Sequence, residues 1–274
     1  MVSPRVMIKG FVVGSTMMVP GVSGGSMAMI LGIYDRLISS ISSFFKDWKG
    51  NALYLLSFGI PALLGIVLCA GPITNIITLF PVVSMFFFFG LVFGSVPMLI
   101  KKAEIHRVDW KLVLSFIIGL AIVVSMAYLP PMGGEGETTL TMNFSTFMLQ
   151  IVTGVVVAIG FILPGISTSY LLLVLGTYDY IMLAISNLDI LALVPFVLGF
   201  VLGVILLTRV LEICMQRFPQ LTYSMIMGFL LGSVYTVYPG HPEGWEIPLS
   251  ILFFALGFVI IFFVSKREAD LETD

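Results

Sequence analysis

Charge is scarce in this chain. Only 10% of its 274 residues are Asp, Glu, Lys or Arg, and 59% are apolar. Soluble domains carry roughly 25% charged residues. A mean hydropathy of +1.12 leaves more apolar surface than a soluble fold of this size can hide, whereas a lipid solvent imposes no such limit. Cysteine is nearly absent too. Cys69 and Cys214 both sit inside apolar runs and read as small packing residues, not as a disulfide or a metal pair. With only His106 and His241, there is no Cys/His cluster. No structural metal and no cofactor is expected. The net charge of −2 offers no field for nucleic acid.

What is present is a duplication. Residues 19–38 read VPGVSGGSMAMILGIYDRLI, and 163–182 read LPGISTSYLLLVLGTYDYIM. At an offset of 144, Pro20, Gly21, Ser23, Leu31, Gly32, Tyr34 and Asp35 match Pro164, Gly165, Ser167, Leu175, Gly176, Tyr178 and Asp179. Gly10 and Gly154 keep that offset. A second block, FPVVSMFFFFGLVFGSV at 80–96, matches FPQLTYSMIMGFLLGSV at 218–234 at an offset of 138. Coincidence among apolar residues does not explain matched Pro, Gly and Asp.

Each unit begins with a short apolar run (6–19 or 147–163), a Pro-Gly break and a second run (22–44 or 166–185). Spanning helices need about 20 apolar residues, and the runs before Pro-Gly fall short of that. Proline disfavours helix in the residue before it, and glycine frees the turn. Each pair therefore reads as a re-entrant hairpin, which requires protein or a cavity around its tip. Two fuller segments follow in each unit, near 52–79 with 82–100 and near 190–208 with 220–238. The segments 112–129 and 247–264 complete the set.

The expected fold is an all-α polytopic membrane protein with two inverted-topology repeats. Each repeat is a re-entrant helical hairpin plus two transmembrane helices. The expected organisation is 1–111, the first repeat; 112–146, a linker transmembrane helix and external loop; 147–240, the second, inverted repeat; and 241–274, a C-terminal transmembrane helix and cytoplasmic tail. Lysine and arginine test this topology. On the re-entrant reading, every Lys and Arg except Arg36 falls on one side, while 130–146 and 239–246 carry only acidic charges. Both termini are expected to be cytoplasmic. Arg5 and Lys9 before an apolar run superficially suggest a signal peptide, but no convincing small-residue cleavage site follows, and the segment is read as mature protein.

Inverted repeats with broken helices mark transporters, with the site near mid-bilayer at the repeat interface. Here the two tips offer helix N-termini with serine at the cap. Such ends present unpaired N–H groups and the positive end of a dipole, a place for an anion. The candidate binding residues are Pro20, Gly21, Ser23, Gly24, Gly25, Ser26, Pro164, Gly165, Ser167, Thr168 and Ser169. The competing reading is that small residues merely permit close helix packing. Arg36 either binds the anion, with Asp35 or Asp179 as structural or proton-carrying partner, or lies at the cytoplasmic end and snorkels into water. Tyr34 and Tyr178 read as interfacial anchors. Arg209 and Glu212 have the spacing of a helix-face pair, or are ordinary cytoplasmic charges.

The block PGVSGGSMAMILGIYDRLI, with its echo PGISTSYLLLVLGTYDYIM, resembles the polyprenyl-phosphate (undecaprenyl-phosphate) translocases, a prokaryotic membrane family once catalogued as a domain of unknown function. The resemblance covers about residues 5–265. The second block departs from the first, with Ser-Thr-Ser where the first has Ser-Gly-Gly. The resemblance implies a protein of the prokaryotic cytoplasmic membrane that returns the lipid carrier from the outer to the cytoplasmic leaflet for reuse in envelope synthesis. The expected partners are the polyprenyl phosphate, membrane lipids and a proton or other coupling ion. The expected mechanism docks the phosphate between the tips, leaves the isoprenoid tail in the bilayer through a lateral opening, and rocks one repeat against the other. Two other readings remain open: an ion-coupled transporter of a small soluble anion, and a membrane lipid phosphatase. The second lacks a His/Asp/Glu constellation in the sequence.

Overall fold

The computed structural model describes residues 4–17, 23–105, 107–130, 143–187 and 189–271. Among them every regular element is helical. The first half runs α1 (Pro4–Thr16), α2 (Gly24–Ile30), α3 (Tyr34–Ser42), α4 (Trp48–Leu79), α5 (Pro81–Lys102) and α6 (Trp110–Met126). The second half repeats the order as α7 (Phe144–Ile162), α8 (Thr168–Val174), α9 (Tyr178–Ser186), α10 (Ile190–Arg217), α11 (Pro219–Thr236) and α12 (Glu246–Leu271).

The matched residues mark matched junctions. Phe80 and Phe218 both leave the helical region at φ −135°. Pro81 and Pro219 then open the next helix, where a missing N–H goes unfelt. Gly32 and Gly176 take φ +71° and +66° after α2 and α8. The N–H of Ile33 reaches back to Ala28, and that of Thr177 to Leu172, as in a Schellman ending. The next helix then starts at once, with Asp35 or Asp179 in its first turn, where an acidic side chain favours the positive helix end. α8 and α9 meet at a bend of 118°.

Among the described residues five helices are long and apolar enough to cross a bilayer: Phe44–Leu79, Pro81–Lys102, Phe144–Ile162, Ile190–Arg217 and Glu246–Val264. One of these corrects the expectation of short arms before both Pro-Gly breaks. α7 has 19 residues, a length of about 28 Å at ~1.5 Å per residue. It starts earlier than hydropathy alone indicates, because the Asn143 side chain accepts the Thr146 N–H at 2.8 Å and caps it. α6 is shorter, with 17 residues.

Four seams hold the bundle together, α1 on α4, α7 on α10, α6 on α11 and α5 on α12. All four are parallel. Gly10 faces Phe58 and Gly14 faces Ala62; Gly154 faces Phe196 and Gly203 faces Ala158; Gly119 faces Met225 and Gly232 faces Val123; Gly90 faces Phe254 and Gly94 faces Phe258. A Cβ at Gly10, Gly154, Gly119 or Gly90 would collide with a backbone carbonyl across its seam. Without a hydrophobic drive between helices in lipid, this close backbone approach supplies the packing energy.

α5 and α11 carry the matched FP blocks and run antiparallel to each other. Met85 and Phe89, in the first half of α5, form a cluster against which Val234 and Val237 at the end of α11 pack. At the opposite end the Gln220 amide donates to the Glu104 carbonyl at 3.1 Å. Outward faces of α4, α10 and α12 are apolar and exposed, with Val67, Ile190 and Ile251 at 76%, 75% and 65%, as lipid contact requires.

Candidate functional site where the two broken helices meet

The segments after the two Pro-Gly breaks touch. The Gly165 N–H donates to the Ser26 hydroxyl oxygen at 2.8 Å. The Tyr34 hydroxyl donates to the Ile162 carbonyl at 2.7 Å. Gly25 lies so close to Ile162 that a Cβ would stand 2.9 Å from its carbonyl oxygen. Thus the return arm of the first half clasps the backbone around the second break from both sides. The depth is intermediate. Gly14, near the end of α1, faces Ala62 in the middle of α4, and Gly165 abuts Phe229 in the middle of α11.

Local sequence explains the geometry. Ser23 is the N-cap of α2, and its hydroxyl accepts the Ser26 N–H at 3.0 Å. The Ser23 and Ser26 hydroxyls are 2.9 Å apart. Ser167 caps α8 likewise, accepting the Tyr170 N–H at 3.3 Å. Gly165 takes φ +86° and would collide with the Phe229 carbonyl if it bore a Cβ, so two separate constraints demand glycine there. The helices that follow have only seven residues each, so their first N–H groups and hydroxyls, and not a long dipole, are what the tips present.

The expected residues separate into three sets. Ser23, Gly24, Gly25 and Ser26 come together with Pro164 and Gly165. Gly25, Ser26, Pro164 and Gly165 are buried, while Ser167 and Ser169 are exposed and Thr168 is half-buried. Pro20 and Gly21 lie outside the described residues. Arg36 is exposed, with its guanidinium 5.4 Å from the Tyr54 ring centroid on α4. Asp35 pairs with Lys102 at the end of α5, at 2.5 Å. Asp179 is exposed. Arg36 and Asp35 thus make these contacts with α4 and α5 and not with the tips. Glu212 joins Arg209 at 3.4 Å and also accepts the Ser42 hydroxyl, tying α3 to α10. Among the described residues no three His, Cys, Asp or Glu side chains gather to hold a metal.

Sequence reasoning missed Tyr34. It is 2% exposed, not an interfacial anchor. Its phenol reaches a carbonyl left without a helical partner by the break at Pro164. Tyr170 was missed as well; its hydroxyl donates to the Leu129 carbonyl past the end of α6, at 2.7 Å. A cavity of about 270 Å³ opens beside the second break, walled by Gly165, Ser167, Tyr170, Met126 and Thr236.

Broken helices from both halves, meeting at mid-depth inside a bundle with an apolar outer surface, define a multi-pass α-helical membrane protein of the transporter kind. The chain belongs to the undecaprenyl phosphate translocase-like family, whose model matches residues 13–248. It is 32% identical, over an alignment of 284 positions covering 97% of both chains, to a polyprenyl-phosphate transporter of Staphylococcus aureus. It is 30% identical over 260 positions to a polyprenyl-phosphate transporter of Vibrio cholerae, covering 89% of this chain and 78% of that one. No solved structure matches the chain.

Proposed function

We propose that the protein is a transporter, not an enzyme, and that it carries polyprenyl phosphate from the outer to the cytoplasmic leaflet of a prokaryotic cytoplasmic membrane. The observation that carries this reading is the junction of Ser26 with Gly165. It brings serines and glycines from both halves into one mid-depth site beside a hydroxyl-lined cavity. The names of the two relatives supply the substrate.

The architecture is two inverted repeats with re-entrant hairpins. The parallel packing of α1 on α4 and of α7 on α10 supports the hairpins, because the chain must return to its starting side before each second helix begins. The antiparallel run of α5 and α11 supports inversion. Each repeat is best drawn with six helices, since Gly119 of α6 and Gly257 of α12 stand at the same offset of 138 as the FP blocks. Both termini are cytoplasmic, where Lys101, Lys102 and Arg217 end their helices.

The phosphate enters the outer cavity and binds Ser167, Thr168 and Ser169 together with Ser23, Gly24 and the backbone at Gly165. Hydroxyls and N–H groups there replace part of the head group's hydration, without which a buried dianion is very costly. The Asp35–Lys102 pair and the Ser42–Glu212 contact close the cytoplasmic side and open as the head group passes. A proton or another coupling ion, or consumption of the carrier lipid, sets the direction.

The test is movement of fluorescent polyprenyl phosphate in proteoliposomes, with soluble phosphate in parallel. Protein-dependent lipid movement that falls with Ser23→Ala and Ser167→Ala is the expected result. Uptake of soluble phosphate without lipid movement would make the protein a small-anion transporter instead.

A further inference from the structure

On the other side of the second break lies a larger hollow. α6 packs on α11 while α10 packs on α7, and the gap between α6 and α10 is a groove of about 540 Å³ floored by α11. That volume falls within the ~300–1,000 Å³ range of small-molecule sites. Leu114 and Ile118 form one wall, Leu211 and Cys214 the other, and Met225 and Phe229 the floor. Leu114 and Ile118 are 46% and 40% exposed, so the wall is open to the side, where the bilayer lies. Two hydroxyls reach the groove, and both are already engaged. Ser115 donates to the Leu221 carbonyl at 2.7 Å, and Thr222 to the Phe218 carbonyl at 2.9 Å. The lining is therefore hydrocarbon in character, apart from Lys111 beside Trp110 at the mouth.

The groove and the outer cavity share one partition. Leu163 closes the groove's inner end, while Gly165 and Ser167, just across Pro164, wall the outer cavity. Phe229 lines the groove, and its carbonyl abuts Gly165. A small hydroxyl-lined cavity and a long apolar groove thus meet at a single turn, and the groove opens sideways into lipid. Their chemistry matches an amphiphile with a compact anionic head and one hydrocarbon chain. A two-chain phospholipid would need a second groove at the same cavity.

We infer that the α6–α10–α11 groove holds the isoprenoid chain of the transported lipid while the paired tips hold its phosphate. The inference rests on the transporter reading above and deepens it by placing the chain. The groove selects for a single long chain, and soluble phosphate makes no use of it. Lys111 supplies a cation for the head group once it reaches the Trp110 end, which the lysine and arginine distribution reads as cytoplasmic.

The experiment places a benzophenone side chain at Leu114 in the groove wall. A control places it at Leu206, which lies on α10, is 54% exposed and is outside the groove. Both variants are reconstituted with radiolabelled polyprenyl phosphate and irradiated, and lipid movement is measured in parallel. The expected result is a several-fold greater lipid adduct at Leu114 than at Leu206, abolished by excess unlabelled polyprenyl phosphate but not by excess phosphatidylglycerol. Equal adducts at both positions, or equal competition by phosphatidylglycerol, would overturn the inference and mark the groove as ordinary lipid contact. If the wild-type protein moves no polyprenyl phosphate, the transporter reading fails, and the adduct ratio then reports separately on whether the groove binds the chain.

Discussion

Ser26 accepts the backbone N–H of Gly165 at 2.8 Å across 139 residues of chain. That amide belongs to the turn proposed above to meet the phosphate, and on that proposal a serine of the other half occupies one of the ligand's donors. Binding a head group at this amide therefore means releasing Ser26, which loosens the two halves at their point of contact. Capture of the ligand and the start of the conformational change are one event in this arrangement, as differential binding to two states requires.

Ser26→Ala removes the competing acceptor. The ligand-free protein then loses stability by roughly 1–3 kcal/mol, the cost of a buried amide left unpaired. Added polyprenyl phosphate regains more of that loss than it adds to the wild type, because a ligand stabilises the state it binds. Thermal unfolding in detergent, with and without the lipid, reads the difference. An equal ligand-induced shift in both proteins would separate the Gly165 amide from the binding site.

The two neighbouring glycines should not be equivalent. A Cβ at Gly24 meets nothing closer than Met17 Cε at 3.5 Å, whereas one at Gly25 stands 2.9 Å from the Ile162 carbonyl oxygen. Gly24→Ala therefore keeps stability near wild type, and any fall in its transport reports the ligand's approach to that backbone. Gly25→Val forces the clasp apart and loses about 1–3 kcal/mol as overpacking does, with transport abolished in inserted protein. Proteoliposome transport together with size-exclusion profiles checks both.

Tyr34→Phe deletes one oxygen and leaves the Ile162 carbonyl buried without its donor. A loss of roughly 1–3 kcal/mol in stability is expected. Tyr178→Phe, at the matched half-buried position, lowers thermal stability less. Comparable losses from both substitutions would mean that the bond of Tyr34 to Ile162 does not hold the halves together.

Asp35 and Lys102 should behave as a lock and not as a proton carrier. Their side chains are 34% and 17% exposed, so a double-mutant cycle is expected to give a coupling of about 0.2–1 kcal/mol, the range for accessible pairs. Asp35→Asn and Lys102→Met each alter transport, and the double variant recovers toward wild type because neither charge remains unmatched. If the double variant stays inactive while Lys102→Met alone is active, Asp35 acts by titration instead.

Much of the fold was legible because helix breaks are local. The Leu-Gly and Phe-Pro junctions, and the Pro-Gly junction at Pro164, each follow from the residue that fixes or frees the backbone, and the first two recur at their matched places. The helical arm before Pro164 was read too short, since its cap, Asn143, sits outside the apolar run that hydropathy detects. The site was only half legible. Ser23 and Ser167 reveal themselves as caps from sequence. The partner of Ser26 depends on the packing of α2 against a turn in the other half, which no local pattern encodes. Arg36 drew attention as a charge in an apolar stretch, but its described contact is a Tyr54 ring one helix away. The glycines were legible as repeated marks, yet which helices they join was not.

Those joins have a consequence for the moving parts. With six helices to each repeat, as proposed above, α6 of the first unit is seamed to α11 of the second, and α12 of the second to α5 of the first. The two copies are thus laced together like clasped hands, each lending its last helix to the other. One copy cannot rock as a block against the other without tearing both laces. On the transporter reading proposed above, the pieces left to move are the α1–α4 and α7–α10 pairs, against a shared central frame.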